Sequence, residues 1–218
     1  MNSQIISLSP KQSAAKDFIN LVNQATASQV RRALYVGTAR GSAVRSRRHL
    51  KALAERGVIR RLPYKLSGFQ RGPGEYVYTP VDSKARIPNL HTLDVTELAV
   101  RLTEQPARPV EFWPEPWCHD IWGGVSLKPD AYIKVGKRHF FLEVDYESEY
   151  ASALSAKMNT YSRAYHNMDG GSFPQIVFTC HNSERKAFID REARKKSVPG
   201  LFVVTLFDEA LDHFVQGS

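Results

Sequence analysis

Three carboxylates bracket two apolar runs in "PDAYIKVGKRHFFLEVD", residues 129–145: Asp130 heads the first run, and Glu143 and Asp145 close the second. Strand alternation sends Phe140, Leu142 and Val144 to one face and Phe141, Glu143 and Asp145 to the other. In the preceding run Ala131, Ile133 and Val135 oppose Asp130, Tyr132 and Lys134. Paired as a hairpin across "VGKR", the runs bring Asp130 and Asp145 to the same end. Carboxylates that meet repel one another unless a cation or protons intervene, and an oxygen-rich cluster suits Mg²⁺ or Mn²⁺. Asp130, Glu143 and Asp145 are therefore candidate metal ligands; the alternative is the solvated polar rim of an ordinary hairpin.

A second chemistry is cationic. Arg45, Arg47, Arg48, His49 and Lys51 fall within seven positions, and Arg60, Arg61, Lys65 and Arg71 follow. Such side chains donate to guanine edges and phosphate oxygens, so they are candidate contacts to double-stranded DNA. Charge is distributed unevenly. Residues 1–80 carry 14 Lys and Arg against three acids, a net of +11; the remaining 138 carry 16 against 19, a net of −3. The split suggests two modules, the first facing a polyanion and the second suited to a cation. The competing reading is a solvated basic face in which several of these groups only solubilise a helix or pair with Glu55.

The elements that must hold these residues can be read from periodicity. "SPKQSAAKDFINLVNQ" predicts a helix with Ala14, Phe18, Leu21 and Val22 inward, starting after Ser9 and Pro10. A second helix starts near Thr26 or Ser28 with Val30, Ala33 and Leu34 inward. "GTARGS" breaks the pattern. A third helix then puts Ala43, Leu50, Leu53 and Ala54 on one face and Arg45, Arg48, His49 and Arg56 on the other, and Gly57 caps it. "VIRRLPYKL" and "EYVYTPV" are extended runs around the glycine-rich "SGFQRGPG". This order over residues 10–80 resembles a winged helix-turn-helix with "HLKALAERGVIRR" at the end of its recognition helix.

The proline-punctuated "VDSKARIPNL" reads as a linker, so the expected domains are 1–80, a linker at 81–90, and 91–218. From "TLDVTELAVRLTEQ" onward helices and strands alternate through "PVEFWPEP", "GVSLKPDAYIKV", "RHFFLEVD", "EYASALSAKMNTYSRAYH", "PQIVFTC", "SERKAFIDREARKK", "GLFVVTLF" and "DEALDHFV". That is an α/β domain with a mixed sheet.

Composition excludes several classes. No apolar run approaches the roughly 18 to 20 residues of a membrane span, and "MNSQIISLSPKQ" lacks the regions of a signal peptide, so a cytoplasmic protein with no membrane partner is expected. Two cysteines are too few for a disulfide framework. Cys118–His119 and Cys180–His181 lack the usual zinc spacing. "FWPEPW" reads as a packing cluster in preference to a base-stacking platform. No glycine-rich phosphate loop or Ser-His-Asp order stands out, so nucleotide hydrolysis and acyl transfer have no support.

The order helix, strand, strand with "PD", strand with "ExD", helix resembles the PD-(D/E)XK nuclease superfamily. That resemblance implies that Asp130 and Glu143 hold a divalent metal and that a lysine assists the attacking water. Asp145 stands at the usual lysine position, and Lys157 on the following helix is the implied substitute, with Glu97 as an extra acid. "NLHTLDVTELAVRL", "KPDAYIKV", "FFLEVDYESE" and "KMNTYSRAY" after a winged helix resemble the replication-relaxation family of plasmid- and phage-borne proteins, in which "EVD" with Lys157 and Tyr161 is a pattern. The implied fold is α/β (α+β overall), a winged helix-turn-helix followed by a PD-(D/E)XK nuclease-like domain with a central mixed sheet flanked by helices. The implied function is a Mg²⁺- or Mn²⁺-dependent DNA endonuclease or nickase of plasmid or phage replication, with Asp130, Glu143, Asp145 and Lys157 catalytic. Its alternative is a non-catalytic DNA-binding regulator whose nuclease-like domain forms a homodimer or binds a partner.

Overall fold

The computed structural model describes residues 7–35, 39–66, 75–105, 109–146, 150–168, 172–196 and 198–216; the side chains of residues 39 and 64–66 are outside the description. The expected "SGFQRGPG" tip and Arg71 lie outside these residues, as does the Lys65 side chain. The chain divides into two units, Met1–Val100 and Arg101–Ser218.

Unit one opens with α1 (Pro10–Val22), β1 (Ala25–Thr26), α2 (Ala27–Leu34) and α3 (Ala39–Glu55), followed by β2 (Ile59–Leu66) and β3 (Glu75–Pro80). Ser9 with Gln12, and Thr26 with Gln29, form reciprocal capping boxes that satisfy the first backbone N–H groups of α1 and α2. Val22 is inward as expected, while Ala15 and Ile19 take the buried places expected for Ala14 and Phe18 on α1. Phe18 and Leu21 flank the core and Ile19 fills it. The break at "GTARGS" is shorter than expected, because α3 already includes Gly41 and Ser42. Ser42, Ser46, Leu50 and Leu53 make one continuous buried stripe at helical spacing, and this offsets the roughly 1 kcal/mol cost of a helical glycine. The end of α3 follows the sequence. Gly57 takes φ +66, its N–H bonds Ala54 O at 3.1 Å, and Val58 N–H reaches Leu53 O at 2.9 Å, a Schellman closure. β1 and β2 flank β3 in an antiparallel sheet.

Helix α4 (Leu90–Thr103) was expected to open the second domain. Instead its hydrogen bonds up to Glu97 run into unit one. Thr96 Oγ1 donates to Gln24 O at 2.8 Å, Gln29 Nε2 donates to Leu93 O at 2.8 Å, and Arg32 pairs with Glu97 at 2.6 Å. Leu93 packs on Leu62 and Val77. The boundary therefore falls inside the helix, after Val100.

Unit two contains β4 (Val110–Pro114), β5 (Asp120–Trp122), β6 (Val125–Leu127), β7 (Ala131–Val135), β8 (Arg138–Asp145), α5 (Ala151–Asn167), β9 (Gln175–Cys180), α6 (Ser183–Arg194), β10 (Phe202–Leu206) and α7 (Ala210–Val215). Five strands form a mixed sheet in the order β10-β9-β8-β7-β4. β4, β7 and β8 pair antiparallel; β8, β9 and β10 run parallel through the crossovers α5 and α6. "GVSLKPDAYIKV" is two strands. Pro129 interrupts it, and β6 pairs with β5 in a separate ribbon. The main core lies between the sheet and α5 and α6, where Phe141, Phe178, Leu154, Met158, Tyr161 and Ile189 meet. Phe214 of α7 packs edge-on against Phe140, 5.1 Å between ring centres. β8 is the central strand and is buried from Phe140 to Asp145, so its two carboxylates cannot rely on water and need partners.

Candidate metal centre

The register joins the two acidic positions. Ala131 faces Leu142 across β7 and β8, and one step further sets Asp130 opposite Glu143. Asp130 is clamped to β8 twice: its N–H donates to Leu142 O at 3.0 Å, and its Oδ2 accepts from Val144 N–H at 2.7 Å. Glu143 is 3% exposed. Lys157 Nζ donates to its Oε2 at 3.0 Å, and the Tyr161 hydroxyl donates to its Oε1. Lys157 and Tyr161 are four residues apart on α5, so one helix face delivers both to one carboxylate.

Burial, and then the charge of Asp130, push the Glu143 carboxyl up to about 7, against the pull of Lys157 and Tyr161. Burial followed by the same carboxylate raises the Tyr161 hydroxyl, keeping it a donor. Cys118, bonded to Pro129 O at 3.0 Å, is raised to about 12 chiefly by burial, with Asp130, Glu115 and Glu143 adding to the shift. The carboxylate pair is thus a local concentration of negative charge inside the fold.

Asp145 has a different environment. Arg185, the third residue of α6, grips it with two parallel bonds, Nε to Oδ1 at 2.6 Å and Nη2 to Oδ2 at 2.7 Å. The expectation of three carboxylates around one ion gives way to a pair, Asp130 and Glu143. Among the described residues no group of three or more His, Cys, Asp or Glu side chains is placed to hold a metal. That includes Cys118–His119 and Cys180–His181. The pair still suits Mg²⁺, which is commonly held by one or two protein carboxylates with water and phosphate oxygens completing its shell. Glu97 is tied to Arg32 and Gln29 within unit one.

The basic candidates separate similarly. Arg45, Arg47 and Arg48 are exposed along α3, and Lys51 is exposed beside Glu55 at 3.6 Å. His49 is a packing residue: its Nδ1 lies 3.0 Å from the Tyr35 hydroxyl, and burial first, then Arg48 and Arg45, lower its pKa. Arg60 turns away from the expected hairpin surface and donates to Ser83 O and Ala85 O, at 2.6 Å for the latter. Arg61 lies over the Tyr76 ring, 4.4 Å from its centre. Arg47, with Arg31, Ser46 and Tyr78, lines a cavity of about 550 Å³.

Sequence reasoning missed Arg185. Its position 40 residues after Asp145 carries no spacing signal; only the β8-β9-α6 connection brings it close.

Comparison with known proteins bears out the family resemblance: residues 79–176 match the replication-relaxation family. The matched segment contains Asp130, Glu143, Asp145, Lys157 and Tyr161. No curated protein and no solved structure matches the chain.

Proposed function

Taking the replication-relaxation match as premise, we propose that the chain is a DNA-binding protein of plasmid or phage replication whose second unit is a metal-dependent endonuclease or nickase. The observation that carries this reading is the buried Glu143 carboxylate, opposite Asp130 and contacted by Lys157 and Tyr161. An antiparallel β4-β7-β8 meander followed by a helical crossover to parallel β9 supports a PD-(D/E)XK framework. Three helices and a hairpin, with Arg45, Arg47 and Arg48 exposed on α3, support a winged helix-turn-helix that engages duplex DNA.

Asp130 and Glu143 would hold Mg²⁺ or Mn²⁺, which lowers the pKa of bound water and offsets phosphate charge. Tyr161 fixes the Glu143 carboxylate in place. Lys157, about one-third exposed, keeps a cation beside the scissile phosphate and stabilises the charge that develops there. Asp145, neutralised by Arg185, ties β8 to α6 and positions the strand end that carries Glu143.

The non-catalytic reading also has an observation in its favour: Arg185 and Lys157 already compensate Asp145 and Glu143 without a metal. Supercoiled plasmid incubated with Mg²⁺ separates the two. The nuclease reading expects relaxed circles from the wild type and none from Glu143→Gln or in chelator. Duplex binding with no cleavage in Mg²⁺ or Mn²⁺ would establish the regulator.

A further inference from the structure

All three tryptophans of the chain, Trp113, Trp117 and Trp122, line one cavity of about 200 Å³ in unit two, together with Tyr132, Phe141, Cys118, His119 and Asp120. Two of its walls are held by contacts of their own. Trp122 stacks edge-on against Phe141 at 5.4 Å and Phe173 at 5.9 Å, and the Tyr132 hydroxyl is bonded to His139 Nδ1. Trp113 and Trp117 are 47% and 62% exposed, unusual for so apolar a side chain. His119 is one of the lining residues; its Nε2 is buried with no hydrogen-bond partner, and the Glu115 carboxylate is 3.9 Å from it, beyond hydrogen-bonding range.

We propose that this cavity holds the base of an unpaired nucleotide, stacked between the tryptophans and hydrogen-bonded on its edge by His119. Size limits the occupant: a cavity of about 150 Å³ accommodates benzene, so this one admits a single heterocycle and no base pair. Polarity limits it further, since the orphaned His119 nitrogen calls for a ligand with hydrogen-bonding edges, which a quaternary ammonium ion lacks. Position fits as well. Tyr132 and Phe141 are paired across β7 and β8, two residues along from Asp130 and Glu143 on the same face. That rise is about 7 Å, the scale of one nucleotide, so a base in the cavity brings its own sugar-phosphate toward the carboxylate pair. The significance of that neighbour rests on the metal-site reading; the binding of the base does not.

Tryptophan fluorescence reports on this cavity, since every tryptophan lines it. In chelator, where no cleavage occurs, single-stranded oligothymidylate is expected to quench the wild-type chain, and duplex of equal length much less. Trp117→Ala should weaken single-strand binding roughly 5- to 150-fold, the range for one stacked base, without changing duplex affinity. Trp117→Phe, which keeps a stacking face, should recover most of it. Single-strand affinity within twofold of wild type in Trp117→Ala overturns the proposal. So does quenching by tetramethylammonium that competes with the oligonucleotide, which would make the cavity a cation cage. A chain that binds single strands through Trp117 yet cleaves nothing in Mg²⁺ leaves this inference standing and removes the nuclease reading.

Discussion

Glu143 is where acid chemistry and stability meet. Its folded-state pKa is raised to about 7 from an ordinary 4.5, chiefly by burial and then by Asp130. A carboxyl raised in the folded state contributes stability that is fully present below its unfolded pKa and is lost as pH rises through the folded value. Metal-free protein should therefore lose stability between about pH 4.5 and 7, by roughly 3 kcal/mol for a shift of this size. Urea unfolding across that window checks it: Glu143→Gln should flatten the difference, and saturating Mg²⁺ should reverse the slope by favouring the ionised form. Asp145 is held by the Arg185 guanidinium through two bonds. Arg185→Ala removes both charge-assisted bonds to the buried Asp145 carboxylate and should cost about 3–5 kcal/mol, while Arg185→Met combined with Asp145→Asn should recover much of the loss in a double-mutant cycle.

At the scale of elements, the sequence reads best where one strand or helix contains its own signal. Alternation in "HFFLEVD" places Glu143 with Phe141 on the helix-covered face, and the structure keeps that arrangement. Lys157 and Tyr161, which the family resemblance singled out, stand four residues apart on α5, and both donate to Glu143. What is not legible depends on how elements meet. Arg185 reaches Asp145 only because α6 follows β9 across the sheet, and Arg60 is withdrawn by the carbonyls of Ser83 and Ala85. The inward stripe of α3 uses Ser42 and Ser46, which a search for apolar periodicity passes over. On α3, changing any of Arg45, Arg47 and Arg48 that contacts a phosphate to alanine should make the fall of log affinity with log salt shallower by about 0.9. Binding titrations from low to high salt measure this directly.

For the whole molecule, the division of charge and of units argues for separable tasks. The +11 segment holds the exposed α3 arginines, and the carboxylate pair lies in Arg101–Ser218. Arg45→Ala with Arg48→Ala should lose duplex affinity and keep divalent-ion binding, while Glu143→Gln should do the reverse. Calorimetric titration of each variant with duplex and with Mg²⁺ distinguishes this from a single shared site, in which both ligands would weaken together. Among the described residues no helix is long and apolar enough to cross a membrane. Whether Asp130 and Glu143 jointly hold a divalent cation, as proposed, is read from Mn²⁺ titration followed by electron paramagnetic resonance. One bound ion per wild-type chain is expected, with affinity lost in both Asp130→Asn and Glu143→Gln and retained in Trp117→Ala. Mn²⁺ binding unchanged by Glu143→Gln, or no binding by the folded wild-type chain, would contradict it.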